Sequence, residues 1–333
     1  MSQPTLDDVA AAAGVARSTA SRALSGAGPA SAGAQARVRA AAAALGFTPN
    51  PAARTLATRR SYAVALVIPE PNVLVLGDPF LTGMIIGTSE AFRATDYQVL
   101  LVIVRPDDEP GKALRVMHPS HVDGAIMVSH HGSGAFERVI RQSPVPKVYV
   151  GRPWPDPTNL YVDVNNRLVG DLATRRLVER GARRIACIAG PADMAAVHDR
   201  TAGWRETLQD AGLPPGPVTH SPFTLAGGAT AMTELLPYRP DAVFVQSDLM
   251  AAGAIKTLEE HGIDVGRTVR IVGVDDSDFA RSASPPLTSV TNPAANLSAR
   301  AARMLLRLLD DNETANDVRP EIVDPVLVIR DSG

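Results

Sequence analysis

Leu6, Val9, Ala10 and Ala13 recur at helical spacing, and Thr5, followed by Asp7 and Asp8, supplies a start signal. The pattern predicts a first helix ended by Gly14, a turn at Val15 and Ala16, and a second helix over 17–24. Residues 25–29 (SGAGP) break the chain, and an Ala- and Arg-rich third helix over 31–45 stops at Gly46. On a helical wheel the second helix divides. Arg17, Ser18, Ser21 and Arg22 share one face; Ala20, Ala23 and Leu24 take the other. The small apolar face packs. Two guanidiniums and two hydroxyls suit base edges and phosphates in a major groove, although a short basic face is also compatible with plain solvation.

From residue 62 the period changes. Apolar runs of strand length fall at 63–68, 98–104, 124–128, 147–150, 184–189, 242–245 and 269–274. Helical segments at 80–94, 135–142, 167–180, 200–211, 227–236 and 249–261 lie among them, and a last helix (294–309) and strand (322–329) complete the body. Such alternation predicts βαβ units and doubly wound parallel sheets covered on both faces, in two groups ending near 160 and 289.

Charge then separates the two parts. The whole chain carries −2, but residues 1–60 hold seven Arg and no Lys against two Asp, a net of +5 that leaves −7 for the rest. A basic head on an acidic body fits a head that meets a polyanion. The 333 residues suit more than one domain. Cys187 is the single cysteine, so no intramolecular disulfide forms. The N-terminus lacks the basic and apolar regions of a signal peptide, and no apolar run reaches membrane-spanning length, so the expected setting is the cytoplasm.

Residues 5–24 (TLDDVAAAAGVARSTASRAL) resemble the start of the LacI/GalR (lactose-repressor/galactose-repressor) family of bacterial transcription regulators, and 46–58 (GFTPNPAARTLAT) resemble the same family's hinge. Ala16 and Ala20 depart from the usual Ser and Val, which predicts a less well capped second helix. The resemblance implies an all-α helix-turn-helix head over 1–47 and a hinge helix and linker over 48–60. It implies a two-lobed α/β core like periplasmic sugar-binding proteins over 61–333. One lobe would take about 61–160 plus 291–320, the other about 161–290 plus 321–330. It assigns base reading to Arg17, Ser18 and Arg22, and the phosphate backbone or its vicinity to Thr5, Ser21 and Asn50. Ala53 would pack against its counterpart in a homodimer, letting Leu56 wedge into the minor groove.

The body carries the resemblance to about residue 330, through GDPFLTGMIIG (77–87), RIACIAGPADMAAVHDRTAGW (184–204), DAVFVQSDLMAAGAIKTL (241–258) and the segment 269–290. It implies a small-molecule, sugar-like effector between the lobes. Arg200, placed just before a helix, would hydrogen-bond vicinal hydroxyls or a carboxylate; Asp275 would accept from hydroxyls; Phe80 and Phe223 would stack on a sugar ring or serve the core. Asp248 and Asp276 would order loops. Ser247 stands where the family has Asn, which implies a weaker or water-mediated effector contact, and Asn165 stands where a D-N pair would have Asp.

The expected protein is a dimeric repressor of carbohydrate-use genes, working on near-palindromic operator DNA at the nucleoid. A corepressor such as a nucleobase or sugar phosphate would use the same parts in reverse. The alternatives are a sugar-binding protein or an enzyme; G-x-S-x-G, G-x-x-x-x-G-K-[ST] and H-E-x-x-H are absent. No cofactor is expected. His118, His121, His130 and His131 cluster in sequence, but a strand separates the pairs, so no metal site is expected; His130 and His131 both follow that strand at its cleft end, which makes either a candidate to line the pocket.

Overall fold

Thr5 and Asp8 close a reciprocal cap at the start of the chain's first helix. Thr5 Oγ1 accepts from Asp8 N at 3.3 Å, and Thr5 N donates to Asp8 Oδ2 at 2.8 Å. The computed structural model describes residues 4–25, 30–48, 60–105, 109, 111, 115–132, 135–153, 159–310 and 318–333. Asn50, Ala53 and Leu56 lie outside the described residues. Residues 1–62 and 63–333 form separate units.

The first unit contains α1 (Leu6–Ala13), α2 (Arg17–Ser25) and α3 (Ala32–Leu45). Gly14 and Gly46, at φ +64° and +66°, end α1 and α3 in the left-handed conformation that suits glycine. Val9, Ala10, Ala13, Ala20, Ala23, Val38 and Ala42 form the core. Small side chains let the helices approach closely, so a short segment encloses an apolar centre.

The second unit holds two six-stranded sheets. β1 (Ala63–Ile68), β2 (Gln98–Ile103), β3 (Gly124–Val128), β4 (Lys147–Val150), β5 (Tyr161–Val164) and β11 (Glu321–Val323) line up as β11-β5-β4-β3-β1-β2. β6 (Ile185–Ala189), β7 (Val218–His220), β8 (Ala242–Val245), β9 (Arg270–Asp275), β10 (Thr288–Thr291) and β12 (Leu327–Val328) line up as β12-β10-β9-β8-β6-β7. β12 pairs antiparallel with β10; the other pairs are parallel. The inner strands β1, β3, β6 and β8 are buried along their whole length, as expected for sheets covered on both faces.

Around them lie α4 (Asn72–Gly77), α5 (Pro79–Phe92), α6 (Ala135–Gln142), α7 (Asn166–Glu179), α8 (Ala195–Asp210), α9 (Leu225–Leu235), α10 (Asp248–Glu260), α11 (Asp278–Ser282) and α12 (Ala294–Leu309). The chain crosses between sheets after β5, after β10, and between β11 and β12.

Three expectations change. The first crossover follows Val164 rather than residue 160, because Tyr149 and Val150 of β4 pair with Tyr161 and Val162. Glu321–Val323 joins the first sheet beside β5 instead of the second. β2, whose apolar run reads as buried, is an edge strand with Leu100 and Leu101 39% and 43% exposed.

Candidate functional site

On α2, Arg17, Ser18 and Arg22 are exposed and Ser21 half-buried, while Ala20 and Ala23 are buried against α1 and α3. Thr5 is exposed at the start of α1. Arg17 Nε stands 3.2 Å from Asp7 Oδ1, and Arg22 Nε donates to the Ser18 carbonyl at 3.1 Å. Exposed pairs of this kind are weak, so both guanidiniums can exchange them for phosphate or base partners. Ala16 offers α2 only its carbonyl, which accepts from Thr19 N and Ala20 N.

In the second unit a cleft of about 800 Å³, counting its open mouth, lies between the lobes. Phe80, Arg200, Phe223, Ser247 and Asp275 all line it. Both sheets aim their carboxyl ends there, the position where open α/β sheets bind ligands.

Arg200 sits in the second turn of α8, not before a helix. Met194 caps that helix without a side-chain bond, so no sequence signal announces its start. Arg200 is 5% exposed. Its Nε donates to Asn166 Oδ1 at 2.8 Å and its Nη1 to the Gln246 carbonyl at 2.7 Å. Burial lowers its pKa, and Asp275, Asp163 and Asp199 oppose that shift. Arg200 also lines the cleft.

Asp275, the last residue of β9, and Asp276 just after it have φ of +116° and +52°, a strained turn that needs support. Asp248 supplies it. Its Oδ2 accepts from Ser277 N and Oγ at 2.8 and 2.9 Å, and its Oδ1 from Ser289 Oγ at 2.7 Å. Arg330 Nη2 donates to Asp276 Oδ1 at 2.5 Å. These bonds hold Asp275 in the cleft, where Asn292 Nδ2 donates to its Oδ1 at 3.0 Å. Burial pushes the Asp275 carboxyl well above its ordinary range; Asp248 and Asp78 push the same way, and Arg200 pulls it back.

Phe80 enters from the first lobe and Phe223 from the second, each also packed against core side chains. Phe223 covers Gly190 so closely that a Cβ there would collide with its ring. Ser247 lines the cleft, but its hydroxyl caps α10 by accepting from Met250 N at 3.2 Å. Asn165 caps α7 through its side chain.

Sequence reasoning missed three carboxylates that line the cleft, Glu70, Asp78 and Asp163. Burial raises Asp78 and Asp163 to about 6 each. Asp78 also caps α5 by accepting from Phe80 N at 2.9 Å. Asp163 accepts from Arg152 N at 2.8 Å. The available signal was position: Glu70 lies two residues past β1 and Arg152 two past β4, both at the cleft ends of strands.

His130 lines the cleft, its Nε2 3.1 Å from the Gly151 carbonyl, and burial lowers its pKa to about 4. His131 does not line it and contacts two carboxylates instead. Among the described residues no group of three or more His, Cys, Asp or Glu is placed to hold a metal ion. No helix among them is long and apolar enough to cross a membrane.

Residues 5–50 match the family described as bacterial regulatory proteins, lacI family, and residues 174–333 match a periplasmic binding protein-like domain. The HTH-type transcriptional regulator CelR of Thermobifida fusca is 40% identical over 99% of this chain and 98% of its own. The ribose operon repressor of Escherichia coli K12 is 30% identical over 99% of both. A solved CelR–cellobiose complex superimposes with a TM-score of 0.78 at 37% identity, covering 99% of this chain and 100% of that one. The lac repressor dimer bound to operator and an anti-inducer, at 24% identity, shares the fold with a TM-score of 0.83 over 99% of both chains.

Proposed function

The chain belongs to the lacI family of bacterial regulatory proteins, and from that premise we propose that it represses carbohydrate-use genes and is released from near-palindromic operator DNA by a sugar. One observation carries the effector half: Arg200 and Asp275, each fixed by neighbouring groups, share an interlobe cleft with an aromatic ring from either lobe. Aromatic faces suit the apolar faces of pyranose rings, a forked guanidinium suits vicinal hydroxyls, and a carboxylate accepts from them.

The CelR–cellobiose complex directs the reading to an uncharged disaccharide of that kind. Cleft chemistry favours the same class. Glu70, Asp78, Asp163 and Asp275 outnumber Arg152 and Arg200, which suits hydroxyl donors and opposes a phosphate.

In the DNA half, α2 enters the major groove. Arg17, Ser18 and Arg22 read bases, and Thr5 and Ser21 steady the backbone. Asn50 and Leu56 act in the hinge, with Ala53 at the partner. Two copies associate through the exposed apolar side chains Leu76, Ile86, Leu100 and Leu101 and the open edge of β2. Closure of the cleft moves the hinge and separates the Leu56 pair, which lowers operator affinity. This reading assigns the chain no catalytic step and places it in the cytoplasm with the DNA it binds.

Calorimetry with cellobiose, glucose 6-phosphate and adenine tests the effector class. Saturable heat from cellobiose supports it. Binding of only the phosphate or the base contradicts it.

A further inference from the structure

Glu70 is a carboxylate two residues beyond β1, 7% exposed, on the cleft wall of the first lobe. Its Oε1 accepts from Ser129 Oγ at 2.6 Å and lies 3.2 Å from His131 Nε2. Among the described residues both of these contacts fall on Oε1, and Oε2 accepts no hydrogen bond. Ser129, a non-glycine at φ +53°, turns the chain after β3 so that its hydroxyl and the His131 ring meet the same oxygen.

His131 reaches the other way as well. Its Nδ1 stands 2.9 Å from Asp193 Oδ1, in the loop between β6 and α8 of the second lobe. Gly132 N also donates to the Asp193 carbonyl at 2.9 Å. Between two ionised carboxylates the ring donates from both nitrogens as an imidazolium, the form its raised pKa favours. Nearby, Arg152 Nη2 of the first lobe donates to Asp199 Oδ2 of the second at 2.7 Å. Arg152 thus ties the lobes as a permanent cation and His131 as one that can lose its proton.

We propose that Glu70 is an effector-facing acceptor of the first lobe, and that His131, by joining Glu70 to Asp193, links occupancy of that acceptor to closure of the cleft. This rests on the sugar-effector reading above and adds two residues and a proton to it. A hydroxyl donated to Oε2 fixes the carboxylate, the carboxylate holds the imidazolium, and the imidazolium holds Asp193. Lobe opening breaks the last link.

The charged groups that face His131 are Glu70 and Asp193. His130 beside it is neutral, lowered to about 4 by burial, and adds no competing charge. The Glu70 hydrogen bond, followed by that of Asp193 against the opposing effect of burial, raises His131 to about 9. Opening removes Asp193 and lowers that value. The bridge therefore favours closure fully at pH below the open-state value and ceases to do so as pH rises through about 9.

Histidine-selective NMR of the ligand-free full chain reads the bridge directly, with His131→Gln identifying the resonance. The expected result is that His131 keeps both ring protons through pH 8 and that Asp193→Asn lowers its midpoint by about one unit or more. A midpoint near the ordinary 6.5 in the wild type, or none of that lowering in Asp193→Asn, overturns the proposal.

Calorimetry with cellobiose reads the linkage. Wild-type affinity falls about fivefold or more between pH 7.5 and 10, and the fall is absent in His131→Gln. Glu70→Gln weakens binding about tenfold at pH 7.5. A flat wild-type profile overturns the linkage, and wild-type affinity in Glu70→Gln overturns the acceptor. No cellobiose heat at any pH, with His131 still doubly protonated at pH 8, contradicts the sugar reading and the acceptor while supporting the bridge.

Discussion

Arg200 Nε donates to Asn166 Oδ1 across 2.8 Å, and this bond between α8 and α7 fixes the guanidinium before an effector arrives. With the bond from Nη1 to the Gln246 carbonyl, it makes Arg200 part of the wall as well as a contact. Lysine cannot make both bonds and still reach a ligand. Arg200→Lys is therefore expected to lose nearly as much cellobiose affinity as Arg200→Ala, about 100-fold, from charged hydrogen bonds of about 1.5–3 kcal/mol each. A lysine variant with wild-type affinity in calorimetry would refute the fixed-fork account.

Gly203 lies on α8 where a Cβ would collide with the Arg167 carbonyl of α7. Gly170 on α7 faces the Arg200 carbonyl in the same way. The two glycines set the spacing that lets Arg200 meet Asn166. Gly203→Ala should lower stability by about 1–3 kcal/mol and weaken effector binding, although Gly203 does not line the cleft. Thermal melts and calorimetry that both match the wild type would contradict this.

Sequence periodicity revealed the frame because the frame is apolar and capped. β1 and β3 are unbroken apolar runs buried on both faces, and Thr5, Gly14 and Gly46 mark helix ends with their own chemistry. β5 (YVDV), β7 (VTH) and β10 (TSVT) are short and interrupted by polar residues, so they read as loops. Arg200 and Asp275 were legible through family resemblance, which carries spatial information that spacing lacks. Glu70, Asp78 and Asp163 were not, because separate elements (the end of β1, the cap of α5 and β5) bring them to one cleft and each looks like an ordinary acid in sequence.

Asp78 has a pKa of about 6 against 3.8, raised mainly by burial. Its protonated form is favoured by folding; that contribution is full below 3.8 and lost as pH rises through about 6. Asn keeps a side-chain acceptor for Phe80 N and removes the charge. Asp78→Asn should raise stability at pH 7.5 by about 1 kcal/mol, discounted for its partial exposure, with little gain at pH 4. An equal gain at both values in denaturant titrations would exclude charge as the cause.

Leu101 is 43% exposed on the open edge of β2. A charge there should split the proposed homodimer. Leu101→Asp is expected to sediment as a monomer and to lose most operator affinity, because each head then binds its half-site alone. An intact dimer in analytical ultracentrifugation would move the interface elsewhere.

The central claim is that a sugar in the cleft governs the head. Fluorescence anisotropy of labelled operator DNA, at fixed salt with cellobiose titrated in, measures it most directly. The account predicts operator affinity about 5–150-fold weaker at saturating cellobiose, the range of a coupling of about 1–3 kcal/mol, and no such change in Arg200→Ala. Saturable cellobiose binding with operator affinity unchanged or strengthened would contradict it.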